Sequence, residues 1–153
     1  MKDLALDAIH IAEENVRNGG GPFGAVVIRN GEIIARGVNR VTSNHDPTAH
    51  AEVMAIREAC QKLGTHQLDD CILITSCEPC PMCLGAVYWA RFEKVYYIAT
   101  KDDAAAAGFD DSFIYEELNK QHEERSIPFI KMEMEQYNAP FEVWINQEGK
   151  TLY

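Results

Sequence analysis

The residues of this chain best suited to chemistry are one histidine, one glutamate and two cysteines. A single residue separates His50 from Glu52, and Cys80 and Cys83 follow later at Cys-x-x-Cys spacing. Zinc prefers imidazole and thiolate ligands, and it keeps a fourth position open for water when only three protein ligands bind it. His50, Cys80 and Cys83 therefore predict a catalytic zinc site. Glu52 is expected beside the open position as a general acid and base.

Cys77 leaves an alternative open, because it stands three residues before Cys80. It would complete a four-ligand structural zinc site together with the other three residues. An iron–sulfur cluster of the ferredoxin type is excluded, since that run requires a fourth cysteine soon after the third. We favour a Cys77 that ends a strand and packs in the interior, as free cysteines often do.

The short spacing of His50 and Glu52 restricts where the metal can lie. Residues two positions apart point about 200° apart around a helix. The two side chains share a site only if the metal lies at the very start of the helix. We predict that helix over Thr48–Leu63 with Thr48 as its N-cap, which allows this arrangement.

The elements that position these residues alternate between helices and strands. An amphipathic helix is predicted over 3–18, and Asn30-Gly31 is a strong hairpin signal between two strands. The predicted strands are Gly24–Arg29, Glu32–Val38, Cys71–Thr75, Lys94–Ala99 and Ile127–Met134, and the later helices run from Cys83 to about Ala90, over Phe113–Lys120 and over Phe141–Asn146. This order predicts a single α/β domain over residues 1–153, with three α/β/α layers and a central mixed five-stranded sheet.

Composition limits the classes of function. The 153 residues include 46% apolar and 25% charged residues, which is typical of a globular domain. The 24 acids outnumber the 14 bases and give a net charge of −10, which argues against a nucleic-acid partner. No apolar run is long enough to span a membrane, and the first residues lack the apolar stretch of a secretory signal. We expect a cytoplasmic protein that acts on a small molecule.

Longer segments extend the metal motif. They are GGPFGAV at 20–26, PTAHAE at 47–52, SCEPCPMCLGAVYWAR at 76–91 and GFDDSFIYEE at 108–117, followed by the C-terminal Tyr153. The pairing of H-x-E with P-C-x-x-C is the signature of zinc nucleobase deaminases. The chain resembles the cytidine and nucleobase deaminase superfamily over nearly its whole length, and within it the bacterial guanine deaminases.

The resemblance implies a cytidine-deaminase-like fold and the hydrolytic deamination of guanine to xanthine and ammonia, in purine catabolism or salvage. One Zn²⁺ per subunit would be held by His50, Cys80 and Cys83 and would activate the attacking water. Glu52 would move protons from that water to a ring nitrogen and to the leaving amine.

The resemblance also assigns residues to the substrate. These are Asn39 and Ala51 as contacts to the base, Phe23 and Trp89 as aromatic walls, Asp111 as a second catalytic group and Tyr153 as a residue that closes the site. Most of them have a simpler interpretation: Asn39 as a turn residue, Phe23 and Trp89 as core, Asp111 as a cap of the helix that follows, and Tyr153 as part of a frayed terminus. Asp110 competes with Asp111 for the same role.

The resemblance further implies a homodimer with no membrane partner. The C-terminal segment, about residues 137–153, would cross to the partner subunit in a domain swap. Removal of Glu148–Tyr153 is then expected to reduce turnover while zinc stays bound.

Two other functions compete with this one. A tRNA adenosine deaminase shares the metal motifs, but it must hold a polyanion, and retention of tRNA at low salt would reveal it. A non-catalytic interaction module stabilised by zinc predicts that Glu52→Gln has no effect on activity and that chelation unfolds the domain.

Overall fold

The computed structural model describes all residues from Met1 to Tyr153, with seven α-helices, four strands and one 3₁₀ helix. In chain order the elements are α1 (Lys2–Arg17), β1 (Gly24–Arg29), β2 (Glu32–Val38), α2 (Val41–Asn44), α3 (Ala51–Leu63), β3 (Cys71–Cys77), α4 (Pro81–Ala90), β4 (Lys94–Ala99), α5 (Lys101–Ala106), α6 (Ser112–Leu118), a 3₁₀ helix (His122–Glu124) and α7 (Ala139–Asn146). The chain divides into two compact units, Met1–Asp111 and Ser112–Tyr153.

The sheet of the first unit has the strand order β2-β1-β3-β4. β1 pairs antiparallel with both β2 and β3, and β3 pairs parallel with β4, so the sheet is mixed as predicted. The predicted hairpin is confirmed: Asn30 and Gly31 connect β1 to β2 with φ values of 52° and 82°. Positive φ at both central residues is what a tight hairpin turn requires.

Helices cover both faces of this sheet. Ala8 of α1 packs against Val26, Ile28 and Ile74 on one face. On the other face, the alanines of α3 and Val87 of α4 pack with Val27 and Leu73 in the larger core cluster. Alternate residues of β1 thus belong to different clusters, as the two-residue period of a strand requires. The result is the predicted three-layer α/β/α arrangement.

The prediction of a fifth strand is wrong. Ile127–Met134 lies in the second unit and pairs with no other strand, so the sheet has four strands. A sequence that alternates in polarity becomes a strand only when its backbone groups find a ladder of partners. Pro128 also removes one of the amide donors that such a ladder needs.

The predicted start of the third helix is also wrong. α3 begins at Ala51 with His50 as its N-cap residue, rather than at Thr48. Thr48 is engaged in a turn, because its backbone N–H and its hydroxyl both donate to Asp46 Oδ1, at 2.8 and 2.7 Å. This local side-chain bond competes with helix formation at residues 46–48.

The start of α3 lies unusually close to β2. A Cβ atom added to Gly37 would come within 2.1 Å of the Ala51 carbonyl oxygen and 2.4 Å of the Ala55 amide nitrogen. Only glycine permits this approach. Gly37 therefore sets the position of the helix turn that carries His50 and Glu52.

The second unit contains α6, the 3₁₀ helix and α7. None of its residues is buried, and Ile127, Ile130 and Met132 are 75%, 76% and 76% exposed. Within it, Glu117 accepts hydrogen bonds from Lys120 and from the Ser126 backbone. No helix of the chain has the length and apolar character needed to cross a membrane.

Candidate metal centre

Three side chains converge at one end of the sheet in the geometry of a metal site. The His50 Nδ1 atom lies 3.5 Å from Cys80 Sγ and 3.6 Å from Cys83 Sγ, and all three ligand atoms lie within 4.8 Å of one another. Tetrahedral Zn–S and Zn–N bonds of about 2.3 and 2.0–2.1 Å place such atoms about 3.5 Å apart. The donor set and its spacing therefore fit zinc.

Two helix N-termini present these ligands. His50 is the N-cap of α3 and Cys80 is the N-cap of α4, both in extended conformation, with Pro81 at the start of α4. Cys83 lies in the first turn of α4, three residues after Cys80, and therefore on the same side of the helix. The positive end of each helix dipole stabilises the thiolates that bind a metal.

The N-cap position of His50 explains how it shares a site with Glu52. With ψ at 156°, His50 lies outside the helix, so the helical angle of about 200° does not separate the two side chains. The Glu52 Oε2 atom lies 3.4 Å from Cys83 Sγ. The metal group and the carboxylate thus meet at the first turn of α3, as the sequence required.

Hydrogen bonding within the centre shifts the pKa values of its two thiols in opposite directions. A hydrogen bond from Cys83 and one from His50 lower the pKa of Cys80 to about 4. The same hydrogen bond to Cys80, together with burial, raises the pKa of Cys83. The interaction with Cys80 also raises the pKa of His50. A bound cation would favour deprotonation of both thiols.

Glu52 is the buried acid of this centre, with only 6% of its surface exposed. Burial raises the pKa of its carboxyl group. A carboxyl group whose pKa is raised holds and releases protons closer to neutral pH than an exposed one. This is the property that a proton carrier requires.

Cys77 lies outside the metal group. It ends β3 in a buried position, opposite Ala99 of β4, and its Sγ atom contacts the Thr100 carbonyl oxygen at 3.5 Å. Burial raises the pKa of its thiol to about 11. The preferred interpretation of Cys77 as a packed, strand-ending cysteine is therefore supported by its position.

Asn39 and Phe23 lie side by side in the loops that follow β2 and precede β1. The Asn39 backbone N–H donates to the Phe23 carbonyl oxygen at 3.2 Å, and its Oδ1 atom accepts from the Val41 N–H at 3.2 Å. Asn39 is buried, and Phe23 packs against the larger core cluster. These contacts agree with the simpler interpretations, and the roles of Asn39 and Phe23 toward a substrate stay predictions.

The loop before the second unit brings Asp111 within electrostatic reach of the metal group. Burial, together with the negative charge of Cys80, raises the pKa of Asp111. Its neighbour Asp110 is exposed. Phe109 of the same loop packs edge to face on Phe23, with ring centroids 5.0 Å apart.

The remaining predicted substrate residues lie in different surroundings. Ala51 is fully buried in the first turn of α3, next to both His50 and Glu52. Trp89 is 67% exposed on α4. Tyr153 belongs to the second unit and is exposed. Their roles toward a substrate stay predictions.

Asn15 is a residue that the sequence analysis missed. It is buried at the end of α1, and its side-chain amide donates to the carbonyl oxygens of Gly21 and Asn39 at 2.8 and 2.9 Å. The sequence contains a pattern that could have identified it. Asn15 continues the buried face of Ala8 and Ala12 at helical spacing, and a polar side chain on a buried face needs a hydrogen-bond partner.

Comparisons with known proteins agree with this geometry. The sequence model of the family described as the cytidine and deoxycytidylate deaminase zinc-binding region matches residues 2–99. That range includes all three candidate ligands and Glu52.

Individual relatives extend the match to the C-terminus. The guanine deaminase of Bacillus subtilis strain 168 is 59% identical over 147 residues, which are 95% of this chain and 94% of that protein. An X-ray structure of guanine deaminase from Bacillus subtilis superimposes with a TM-score of 0.98 at 57% identity, over 99% of this chain and 98% of that chain. The tRNA-specific adenosine deaminase of the same strain is 42% identical over 118 residues, or 76% of this chain and 73% of that protein.

Proposed function

The chain belongs to the cytidine and deoxycytidylate deaminase zinc-binding family, and we propose that it hydrolyses guanine to xanthine and ammonia. The observation that carries the chemistry is the buried Glu52 carboxyl group beside three side chains that could hold a zinc ion. The choice of guanine rests on the similarity to a guanine deaminase over nearly the whole chain. The reaction serves purine catabolism or salvage in the cytoplasm.

His50, Cys80 and Cys83 would hold the zinc ion, which would supply an activated water for attack at C2 of guanine, the carbon that bears the exocyclic amine. Glu52 accepts one proton from that water and donates it to a ring nitrogen. It then accepts the remaining proton of the attacking oxygen and delivers it to the amine. The amine leaves as ammonia, and its place is taken by the oxygen of the water, which gives xanthine. The raised pKa of Glu52 suits both the accepting and the donating step.

The residues around the centre supply binding and orientation. Asn39 contacts an edge of the base through its amide, which offers a donor and an acceptor. Phe23 and Trp89 flank the ring, and Ala51 contacts it from the first turn of α3. Asp111 acts as a second proton carrier; its raised pKa and its proximity to Cys80 support this role over Asp110.

The tRNA alternative is disfavoured by charge. A net charge of −10 opposes binding of a polyanion, because neutralisation of phosphates provides most of the affinity for nucleic acids. A small purine base carries no phosphate. Salt-sensitive retention of tRNA by the purified protein would nevertheless count for that alternative.

We further propose that the protein is a homodimer and that the segment at about 137–153 crosses to the partner subunit. The support is the composition of the second unit, which buries none of its residues and leaves Phe141, Val143 and Ile145 of α7 largely exposed. Such a segment has no core of its own, and a partner chain provides the surface that covers it. Tyr153 would then close the site of the partner.

The proposed reaction is tested by ammonia release from guanine, with the zinc-loaded wild type and Glu52→Gln measured together. We expect release by the wild type and a loss of about 10²–10⁴-fold in kcat for the variant, with zinc content unchanged. Equal turnover by both would show that Glu52 is not the proton carrier. No release by a folded, zinc-loaded wild type would contradict the guanine assignment.

A further inference from the structure

The two loops that carry Phe23 and Asn39 are tied together by one buried side chain of α1. Asn15 is 5% exposed, and its Nδ2 atom donates to the Gly21 carbonyl oxygen at 2.8 Å and to the Asn39 carbonyl oxygen at 2.9 Å. The two loops are far apart in sequence, since one precedes β1 and the other follows β2. A single amide therefore bridges them.

The bridge is part of a continuous set of backbone hydrogen bonds. The Phe23 N–H donates to Gly21, the acceptor of one Asn15 bond, and the Asn39 N–H donates to the Phe23 carbonyl oxygen. Asn39 is held at both its backbone N–H and its carbonyl group. Its Oδ1 is held by the Val41 N–H, which fixes the orientation of the side-chain amide. The position of Asn39 thus depends on groups that Asn15 anchors.

The glycine-rich loop before β1 packs closely against the side chains of Asn15 and Asn39. A Cβ atom on Gly20 would come within 2.3 Å of Asn15 Nδ2, and a Cβ atom on Gly21 would come within 2.9 Å of Asn39 Cγ. The two glycines therefore lie directly against the two asparagine side chains. Backbone approach of this kind leaves little room for either loop to shift while Asn15 is present.

We propose that Asn15 is a positioning residue for substrate binding, which holds Asn39 and Phe23 in register with each other without touching the substrate. This rests on the proposed function, in which those two residues contact the base. Asn15 is suited to the role because an amide nitrogen has two hydrogens and can satisfy two carbonyl oxygens at once. Both carbonyl oxygens would lose a partner if the amide were removed.

The test compares Asn15→Ala with Leu4→Ala, a matched control on the same helix. Leu4 packs against the smaller core cluster and belongs to none of the contacts around the metal centre. Asn15→Ala is expected to raise KM for guanine about tenfold while kcat and zinc content stay within twofold, because binding common to ground and transition state is lost. Leu4→Ala is expected to lower the melting temperature and leave KM unchanged.

Two further measurements separate positioning from general stability. Asn15→Ala combined with Asn39→Ala should raise KM by less than the product of the two single effects, because Asn15 acts in part through Asn39. Amide hydrogen exchange, which needs no substrate, should accelerate at Phe23 and Asn39 in Asn15→Ala and not in Leu4→Ala. Asn15→Ser keeps one donor hydrogen and serves if the alanine variant does not fold.

Each outcome has one meaning. A selective rise in exchange and in KM supports the positioning role. Unchanged exchange at Phe23 and Asn39, or additive KM effects in the double variant, overturns it. A wild type that does not release ammonia from guanine counts against the proposed function, while the exchange measurement still decides the role of Asn15.

Discussion

At the scale of single residues, neighbouring cysteines of one short segment have different tasks. Cys80 and Cys83 face His50 at 3.5 and 3.6 Å, whereas Cys77 points to the Thr100 carbonyl oxygen. The difference arises because Cys77 is still part of β3, while Cys80 and Cys83 belong to the start of α4. A strand and a helix direct side chains by different periods, so equal spacing in sequence does not mean an equal role.

Zinc content provides a direct test of this division. Cys80→Ser is expected to lose most of the bound zinc, because a hydroxyl group does not replace a thiolate ligand. Cys77→Ser is expected to retain about one zinc per chain, since its sulfur packs and does not bind the metal. Metal analysis of the two purified variants by mass spectrometry measures this. Equal loss of zinc in both variants would instead support the four-ligand structural site that includes Cys77.

At the scale of elements, the site is set by where α3 and α4 begin. His50 and Cys80 are the N-cap residues of the two helices, so the metal group lies at the positive ends of both. β2 fixes the start of α3 through the close contact at Gly37. The sheet therefore acts as the support against which the ligand-bearing turn is placed.

Gly37→Ala tests that contact. Its Cβ atom would overlap with the backbone of Ala51 and Ala55, so we expect a loss of about 1–3 kcal/mol in unfolding free energy and weaker zinc binding. Urea unfolding and zinc titration measure the two effects. Gly85→Ala is the control, because its Cβ atom would meet nothing within 4 Å. Since Gly85 lies within α4, we expect this variant to gain about 0.5–1 kcal/mol in unfolding free energy. Similar behaviour of both variants would show that the contact does not position α3.

At the scale of the whole molecule, the first unit has a double-sided core and the second has none. The core clusters lie entirely within Met1–Asp111, and no residue of Ser112–Tyr153 is buried. Apolar side chains that stay exposed lose the main driving force for folding. A second copy of the chain supplies the missing surface in the proposed homodimer.

Mixing two inactive variants tests the domain swap. Removal of Glu148–Tyr153 should reduce turnover with zinc still bound, and Glu52→Gln should abolish it. If the C-terminal segment serves the partner site, hetero-dimers formed by co-refolding equal amounts should recover about a quarter of the wild-type sites. The reason is that the truncated chain supplies Glu52 and the other chain supplies the segment. Recovery of no activity by a mixed dimer would show that each segment serves its own subunit.

The sequence alone was enough to predict the candidate metal ligands, the position of Glu52 beside them and most of the helices and strands. A zinc site requires particular residue types at short spacings. The segments His50-Ala51-Glu52 and Cys80–Cys83 have both the residue types and the spacings. The hairpin at Asn30-Gly31 was equally readable, because few residues tolerate positive φ at two successive positions. These features depend on residues that are close together in the chain, so they can be predicted from the sequence.

Features that depend on partners distant in the chain could not be predicted from the sequence. Ile127–Met134 has the pattern of a strand but finds no ladder, and Thr48 has the type of a helix cap but bonds to Asp46 instead. Asn15 gained its importance from carbonyl groups in two separate loops. Hydrogen bonds and close packing are satisfied in space rather than along the sequence, so the start of α3, the number of strands and the support of Asn39 emerged only from the folded chain.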